Sequence, residues 1–394
     1  MTTTLENSPI PATGVVGGAS RADRPTSFDL ADIPVPSGRE EDWRFTPVKE
    51  LADFFAPEKY QREQGTQVLA PMGVTVEKVE RGDQRLGSVL EPGDRTAVVA
   101  WNQFRHSTVV TIPKQAEIAE PIWVKVASDS NDLAAQHVFI DAGEQSNATV
   151  VLLHSGAAQL NQTVEINTGS AATLNVIAVH EWNDDAKHTS SHRVMVGRDA
   201  NVTHLVLTLG GDLVRICLDV DFAGPGASFQ GNGLYFVDSK EHLEHRVFVA
   251  HTKPKCYSRV TYKGALQGKD AHAVWIGDCL IGSGAEGTNT YELNRNLVLT
   301  EGAKCDSVPN LEIEDGEIEG AGHASATGRF DDEQLFYLMS RGVSELDARR
   351  LVVRGFFAEL TNDIDIPALR DHLMDVIESE LTSARDIAPF NLES

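Results

Sequence analysis

Apolar and polar residues alternate with a period of two through most of the chain, and the period lengthens to that of a helix only near the end. Residues 74–79 (VTVEKV), 96–101 (TAVVAW), 107–112 (STVVTI) and 121–126 (PIWVKV) read as strands. Between about residues 143 and 319 the runs fall into a loose repeat, in which a turn residue and an alanine precede each short β run. The alanines are Ala148, Ala172, Ala200, Ala227, Ala271 and Ala303, separated by 24, 28, 27, 44 and 32 residues. No helical segment interrupts them, which fits either a β-helix or a β-sandwich. The glycine-alanine turns and unequal unit lengths lean toward the β-helix.

The pattern changes across residues 309–342. Leu311, Ile313 and Ile318 alternate with Glu312, Glu314, Glu317 and Glu319, the period of a half-buried strand. Beyond them, Asp331, Asp332 and Glu333 suit a helix N-terminus, Leu335, Phe336, Leu338 and Met339 form a stripe, and Arg341-Gly342 supplies a stop. Ser344 with Asp347 forms a capping box for a helix striped by Leu346, Leu351, Val352, Phe356 and Leu360. Pro367 opens a further helix through Leu369, Leu373, Val376, Ile377 and Leu381. So few residues have little core of their own and need a surface to pack on. At the other end, Trp43, Val48, Leu51, Phe54 and Phe55 predict a short helical cap broken by Pro47, after a loosely attached arm over residues 1–25.

A chain of 394 residues with 41% apolar but only 7% aromatic content favours thin β-branched layers over one large centre. Its net charge of -24 makes nucleic acid and anionic membranes poor partners. No run of about 18 apolar residues predicts a membrane span. The first twenty residues lack the basic and apolar regions of a secretory signal. Cys217, Cys256, Cys279 and Cys305 are far apart, so reduced thiols and a cytoplasmic location are expected.

The candidate chemistry centres on His323, in a small-residue stretch, GAGHASATG, read as an exposed loop where an imidazole nitrogen stays free for iron. The plainer alternative is a helix-capping histidine. His251 and Cys256 are five residues apart with Pro254 between them, more consistent with a turn-fixing histidine and a buried thiol than with a ligand pair. His188, His192, His242 and His245 have metal-like spacings only on a helix; their segments alternate like strands, which assigns them to solvent-facing positions. Cys217, Cys279 and Cys305 sit in apolar runs as core residues. The acid row, Glu312 and Glu314 foremost, could collect iron beside His323 but equally fits the wet face of a strand. No P-loop, G-x-S-x-G or H-E-x-x-H motif is present, which argues against an enzyme.

The segments GHASATG and DDEQLFYLMSRG closely resemble the C-terminal signature of the SufD family, a subunit of the SUF iron–sulfur cluster scaffold. The resemblance continues upstream through His251-Thr252, Cys256-Tyr257-Ser258, Thr261-Tyr262-Lys263-Gly264, Leu293-Asn294-Arg295-Asn296-Leu297 and Pro309-Asn310-Leu311-Glu312-Ile313. Residues 39–47, REEDWRFTP, look like the family's N-terminal tryptophan motif. The resemblance implies a mainly β protein: a central right-handed parallel β-helix over residues 91–328, an N-terminal cap over 26–90 and a C-terminal helical domain over 329–394. It also implies a non-enzymatic scaffold that pairs with SufB through Leu311, Ile313 and Ile318. The SufC ATPase would dock through Phe336, Tyr337, Arg341, Phe356 and Phe357. A second copy of the chain is the expected partner when SufB is missing. No cofactor is expected to stay on the isolated chain; an iron–sulfur cluster is shared transiently with SufB, His323 meeting a SufB cysteine. Many relatives carry a cysteine where this chain has Ala321, so the stretch offers a single donor. That same absence speaks against the alternative of a SufB-like sulfur acceptor. A β-helix carbohydrate-active enzyme, the remaining alternative, would need clustered carboxylates and stacking aromatics.

Overall fold

The computed structural model describes residues 20, 23–330, 332–381 and 390. Most of the arm expected over residues 1–25, and Asp331, lie outside them. The chain is mainly β, wound into a parallel solenoid of about eight turns with two strands per turn. One sheet stacks the first halves of β5 (Ile122–Ala142) and β6 (Asn147–Thr168), then β7 (Thr173–Trp182), β9 (Asn201–Leu209), β11 (Ser228–Val237), β13 (Tyr257–Leu266), β15 (Asn289–Val298) and β17 (Gly320–Arg329). The other stacks β4 (His106–Ile112), the second halves of β5 and β6, then β8 (Lys187–Val196), β10 (Leu213–Phe222), β12 (His242–His251), β14 (His272–Ile281) and β16 (Lys304–Ile313). Short strands β1 (Arg62–Glu63), β2 (Gln67–Leu69) and β3 (Thr75–Glu80) pair with β5 and β4 at the N-terminal end.

The corners explain the irregular alanine spacing. Ala171, Asp199, Gly226, Lys255 and Gly287 have left-handed backbone, φ 54, 54, 73, 57 and 68°, which turns the chain into the first sheet. Each is followed by a small, fully buried residue: Ala172, Ala200, Ala227, Cys256 and Thr288. Ala271 and Ala303 belong to the opposite corner, behind Asp270 and Gly302, and the gap of 44 is a hop from one corner to the other. Cys256 and Thr288 hide the repeat because alanine is not required there, only a small side chain.

Inside the coils, valine, leucine and isoleucine from both sheets form one long core. A polar seam runs along it. His154 bonds Gln162, Nδ1 of His192 lies 2.9 Å from Nε2 of His204, Thr208 meets His245, and Tyr235 donates to Asn296. His188, His192 and His245, expected in solvent, are at most 1% exposed and His242 is 7% exposed. Alternation located their strands but reversed their faces, because a solenoid buries one side of every strand whatever its polarity.

Three further expectations change. Residues 96–101 are not a strand but part of α1 (Arg95–Gln103), N-capped by Asp94, whose side chain accepts from the Ala97 amide. Ala97, Val98, Val99 and Ala100 are all buried because α1 lies against β5, β6 and β8. The cap over residues 40–55 is built from 3-10 turns, with Trp43 buried and the Arg215 guanidinium 3.9 Å from its ring centroid. At the C-terminus lie α2 (Asp332–Ser340), α3 (Glu345–Thr361), whose N-cap Ser344 accepts from the Asp347 amide, and α4 (Pro367–Glu380), opened by its proline. They do not stand apart as a helical domain: Val353, Phe357, Leu360, Leu369, Leu373 and Ile377 pack on Val151, Val179, Leu207, Leu234 and Phe236 of the first sheet's outer face. The buried stripe of α3 is therefore rotated from the expected one, and Leu346 and Leu351 are 42% and 53% exposed.

Packing between coils is tight enough to test. A Cβ on Gly264 would lie 1.9 Å from Cε2 of Tyr235, whose ring is 1% exposed and cannot retreat. Gly264→Ala should cost about 3 kcal/mol by overpacking, read as a lower urea midpoint with an unchanged slope. A loss below about 0.5 kcal/mol would contradict the packing described.

Candidate functional site

The last coil ends the stack. β16 is registered on β14 and β17 on β15, and among the described residues no strand is registered on their far edges. His323 therefore lies within strand β17 and not in a loop. The glycines and alanines around it form a ladder with β15 instead of a turn, because the coil supplies hydrogen-bond partners that local sequence cannot reveal.

Which way His323 faces follows from its neighbours. Ala321 packs with Cys279, Ile281 and Ala285, Ser325 donates to Ser307 Oγ at 2.7 Å, and the Thr327 hydroxyl lies 3.2 Å from the Cys305 sulfur. Those contacts cross the interior from β17 to β16, so alternate residues of β17, His323 among them, face into the coil. His323 nevertheless remains exposed, since no further turn covers it. The end of the solenoid is a polar mouth lined by His323, Ser325, Thr327, Cys305 and Ser307.

One strand deeper, Glu292 of β15 is the register partner of His323. Parallel register partners project from the same side of a sheet, about 4.8 Å apart. Glu292 is 1% exposed, and neither carboxylate oxygen has a hydrogen-bond partner among the described residues. Burial, with Asp278 adding, pushes its carboxyl up to about 8. Burial likewise pushes the Cys279 thiol up to about 12, Glu292 adding, and raises the Cys305 thiol. The Cys279 thiol gives up its proton far less readily than the Glu292 carboxyl, so the mouth offers nitrogen and oxygen donors before the Cys279 thiolate. Among the described residues no three His, Cys, Asp or Glu side chains converge tightly enough to hold a metal ion by themselves.

The other singled-out residues are scattered. Glu312 points to the outside of β16, where Ser20 Oγ donates to it at 2.5 Å, and the Glu314 carboxylate accepts from the Ser283 amide. Both lie away from the face that carries His323, and the strand stops at Ile313 instead of running on to Ile318. Leu311 and Ile318 pack against Cys279 and Ile281, while Ile313 is 47% exposed. His251 Nε2 lies 2.9 Å from Ser258 Oγ with its ring stacked on Phe222, and the Cys256 thiol donates to the Gly224 carbonyl; neither approaches the mouth as a ligand pair. Cys217 faces the Asp94 carboxylate on the outside of β10, and Cys305 is at the mouth, so only Cys279 and Cys256 are truly core thiols.

On the helices, Phe336 and Tyr337 are 73% and 57% exposed, and Arg341 lies 5.2 Å from the Tyr337 ring centroid. Phe357 is fully buried and Phe356 partly so, both facing the sheet, which removes Phe357 from any partner-facing surface. Glu292, Ser307, Ser325 and Thr327 had no signal in the sequence. Thr290, Glu292, Asn294 and Asn296 form the polar side of an alternating run, the side that alternation assigns to water.

No helix among the described residues is long and apolar enough to cross a membrane. Residues 125–356 match the SUF system FeS cluster assembly, SufBD core domain family. An iron–sulfur cluster assembly SufBD family protein of Mycobacterium leprae is 47% identical over 364 residues, covering 90% of this chain and 93% of the relative. Its Mycobacterium tuberculosis counterpart is 46% identical over 363 residues, covering 90% and 91%. The iron–sulfur cluster assembly protein SufD of Escherichia coli is more distant, 28% identical over 260 residues, covering 65% and 61%. With its core matched over more than half its length and near-full-length relatives at almost half identity, the chain belongs to the SufBD family of SUF-system iron–sulfur cluster assembly proteins.

Proposed function

We propose that this chain is the SufD-type, non-enzymatic scaffold subunit of a cytoplasmic SUF complex, with its right-handed coil abutting a SufB-type subunit at the open end. The observation that carries this reading is the placement of His323 on the inner rim of an uncapped last coil, exposed and without a bonded partner among the described residues. Open strand edges are covered or paired in working proteins, and β16 and β17 carry no lysine-rich or bulged protection at their rim. A partner coil seated there would face His323 across the junction, so that a thiolate from the partner and this imidazole could share a forming cluster. The cluster is cargo, held by both chains and passed on. A second copy of the chain fits the same edge when the partner is missing. The four unpaired cysteines agree with a reducing compartment.

The exposed Phe336 and Tyr337 on α2, with Arg341 just beyond its end, form the docking surface for a SufC-type ATPase. Changing Phe336 and Tyr337 together to aspartate should weaken ATPase capture at least tenfold, with an unchanged circular dichroism spectrum because neither side chain is in the core. Undiminished capture would remove α2 from the interface. The overall reading is tested by purifying the chain from its native cell. A SufB-type subunit and a SufC-type ATPase should accompany it in fixed ratio, and a chain that co-purifies with neither is not the scaffold described.

A further inference from the structure

Buried polar atoms in folded proteins almost always have a partner, and an unpaired buried carboxylate is among the costliest exceptions. Glu292 is such an exception at a particular place. It is 1% exposed, both its oxygens lack partners among the described residues, and it lies one strand below His323 on the same inner face. The fold makes room for it. Gly277 on the opposite sheet has no side chain, and a Cβ there would lie 2.8 Å from Glu292 Oε2 and 2.3 Å from Trp275 Cη2. The carboxylate therefore reaches across the interior of the penultimate coil, directly under the mouth. As a space-filler it would be poorer than methionine, which brings no unpaired oxygens into the core.

We infer that Glu292 and His323 together form a two-donor site for a divalent cation such as Fe(II) at the open end of the solenoid. The inference builds on the cluster reading of His323 and adds to it a specific oxygen ligand and an entry point for iron. One imidazole nitrogen and one carboxylate suit ferrous iron or manganese better than the soft metals that thiolates select. Register partnership sets the two residues on adjacent rungs of the same sheet face, their backbones about 4.8 Å apart. Water or a partner chain fills the remaining positions. Ser307 and Ser325, bonded to each other at the rim, provide the polar surface past which the ion enters.

The test is Glu292→Gln, which keeps shape and removes the carboxyl that a bound cation would turn into a carboxylate ligand. The full-length chain, alone and in complex with its SUF partners, is titrated with Mn(II) followed by electron paramagnetic resonance and with Fe(II) under argon. Wild type should bind one equivalent; Glu292→Gln and His323→Ala should each bind at least tenfold more weakly, and the double variant no worse than the weaker single one. Glu292→Gln should melt no lower than wild type. Binding by Glu292→Gln equal to wild type, or no high-affinity binding by wild type in either state, overturns the site. Complementation separates the two readings. If His323→Ala fails in cells while Glu292→Gln binds cation normally, the cluster role stands and the cation site falls. If Glu292→Gln loses cation while His323→Ala complements fully, the cation site stands and the cluster role falls.

Discussion

His323→Ala should reduce cluster assembly at least tenfold in cells lacking the native subunit, while the variant folds and still captures both SUF partners. His323 is exposed on an edge strand, so its loss leaves no cavity and should cost under about 1 kcal/mol of stability. A ligand, in contrast, cannot be replaced by its neighbours: Ser325 and Thr327 offer only hydroxyls, and the Cys305 thiol is raised by burial. Ala321→Cys is the complementary change. Ala321 faces the same interior and is half-buried, so a thiol fits there and assembly should persist. Full complementation by His323→Ala under iron limitation and oxidative stress would falsify the ligand role and leave a histidine that merely fills the rim.

The second large effect is a loss of the fold between about pH 5 and pH 4. Burial pushes His154, His204 and His251 down to about 4 and His245 to about 3, and holds His180, His188 and His192 well below 6.5. A depressed imidazole is neutral when folded and takes a proton when unfolded. Its contribution is therefore complete above pH 6.5 and shrinks as pH falls toward the folded value. Buried carboxyls act oppositely: burial raises Glu292 to about 8, Glu380 to about 7, and Glu241 well above 4.5. Their contribution is complete below 4.5 and shrinks as pH rises toward those values. From pH 7 to pH 5 the three carboxyls offset only part of the loss at the seven imidazoles. Below 4.5 the carboxyls add nothing more, while His154, His204 and His251 have each lost roughly 3 kcal/mol by pH 4. Glu244, raised by burial but held down to about 2 by Arg215, then begins to lose its contribution as well. Three such losses approach the whole net stability of about 5–15 kcal/mol for a folded protein. Urea midpoints should thus fall from pH 7 to pH 5 and collapse by pH 4. A chain still cooperatively folded at pH 3.5 would show that the seam is not held neutral in a dry interior.

Much of this protein was legible in its residues because the deciding interactions are local. Ser344 caps α3, Pro367 opens α4, and Gly342, at φ 90°, ends α2 next to Arg341; each acts within one turn of chain. The strands from Ser107 onward announced themselves by period, and the corner alanines by spacing. His323 stood out by chemistry and by its resemblance to a known signature.

What tertiary structure alone decided is which side of each strand turns inward. A period of two is symmetric: it marks two faces without saying which one meets the core. In an open sheet polarity breaks the tie, but here coils stack on both neighbours and α3 and α4 cover one outer face, so apolar and polar sides are both buried. That is why His188, His192 and His245 belong to the interior and Glu292 lies beneath the mouth. The run at residues 96–101 failed for a related reason, since consecutive buried residues satisfy a helix wedged against a sheet as well as a central strand. Sequence located the strands, their turns and His323 as the candidate donor. Only the stacking of one coil on the next, through backbone bonds between residues about thirty apart, placed a carboxylate under that imidazole.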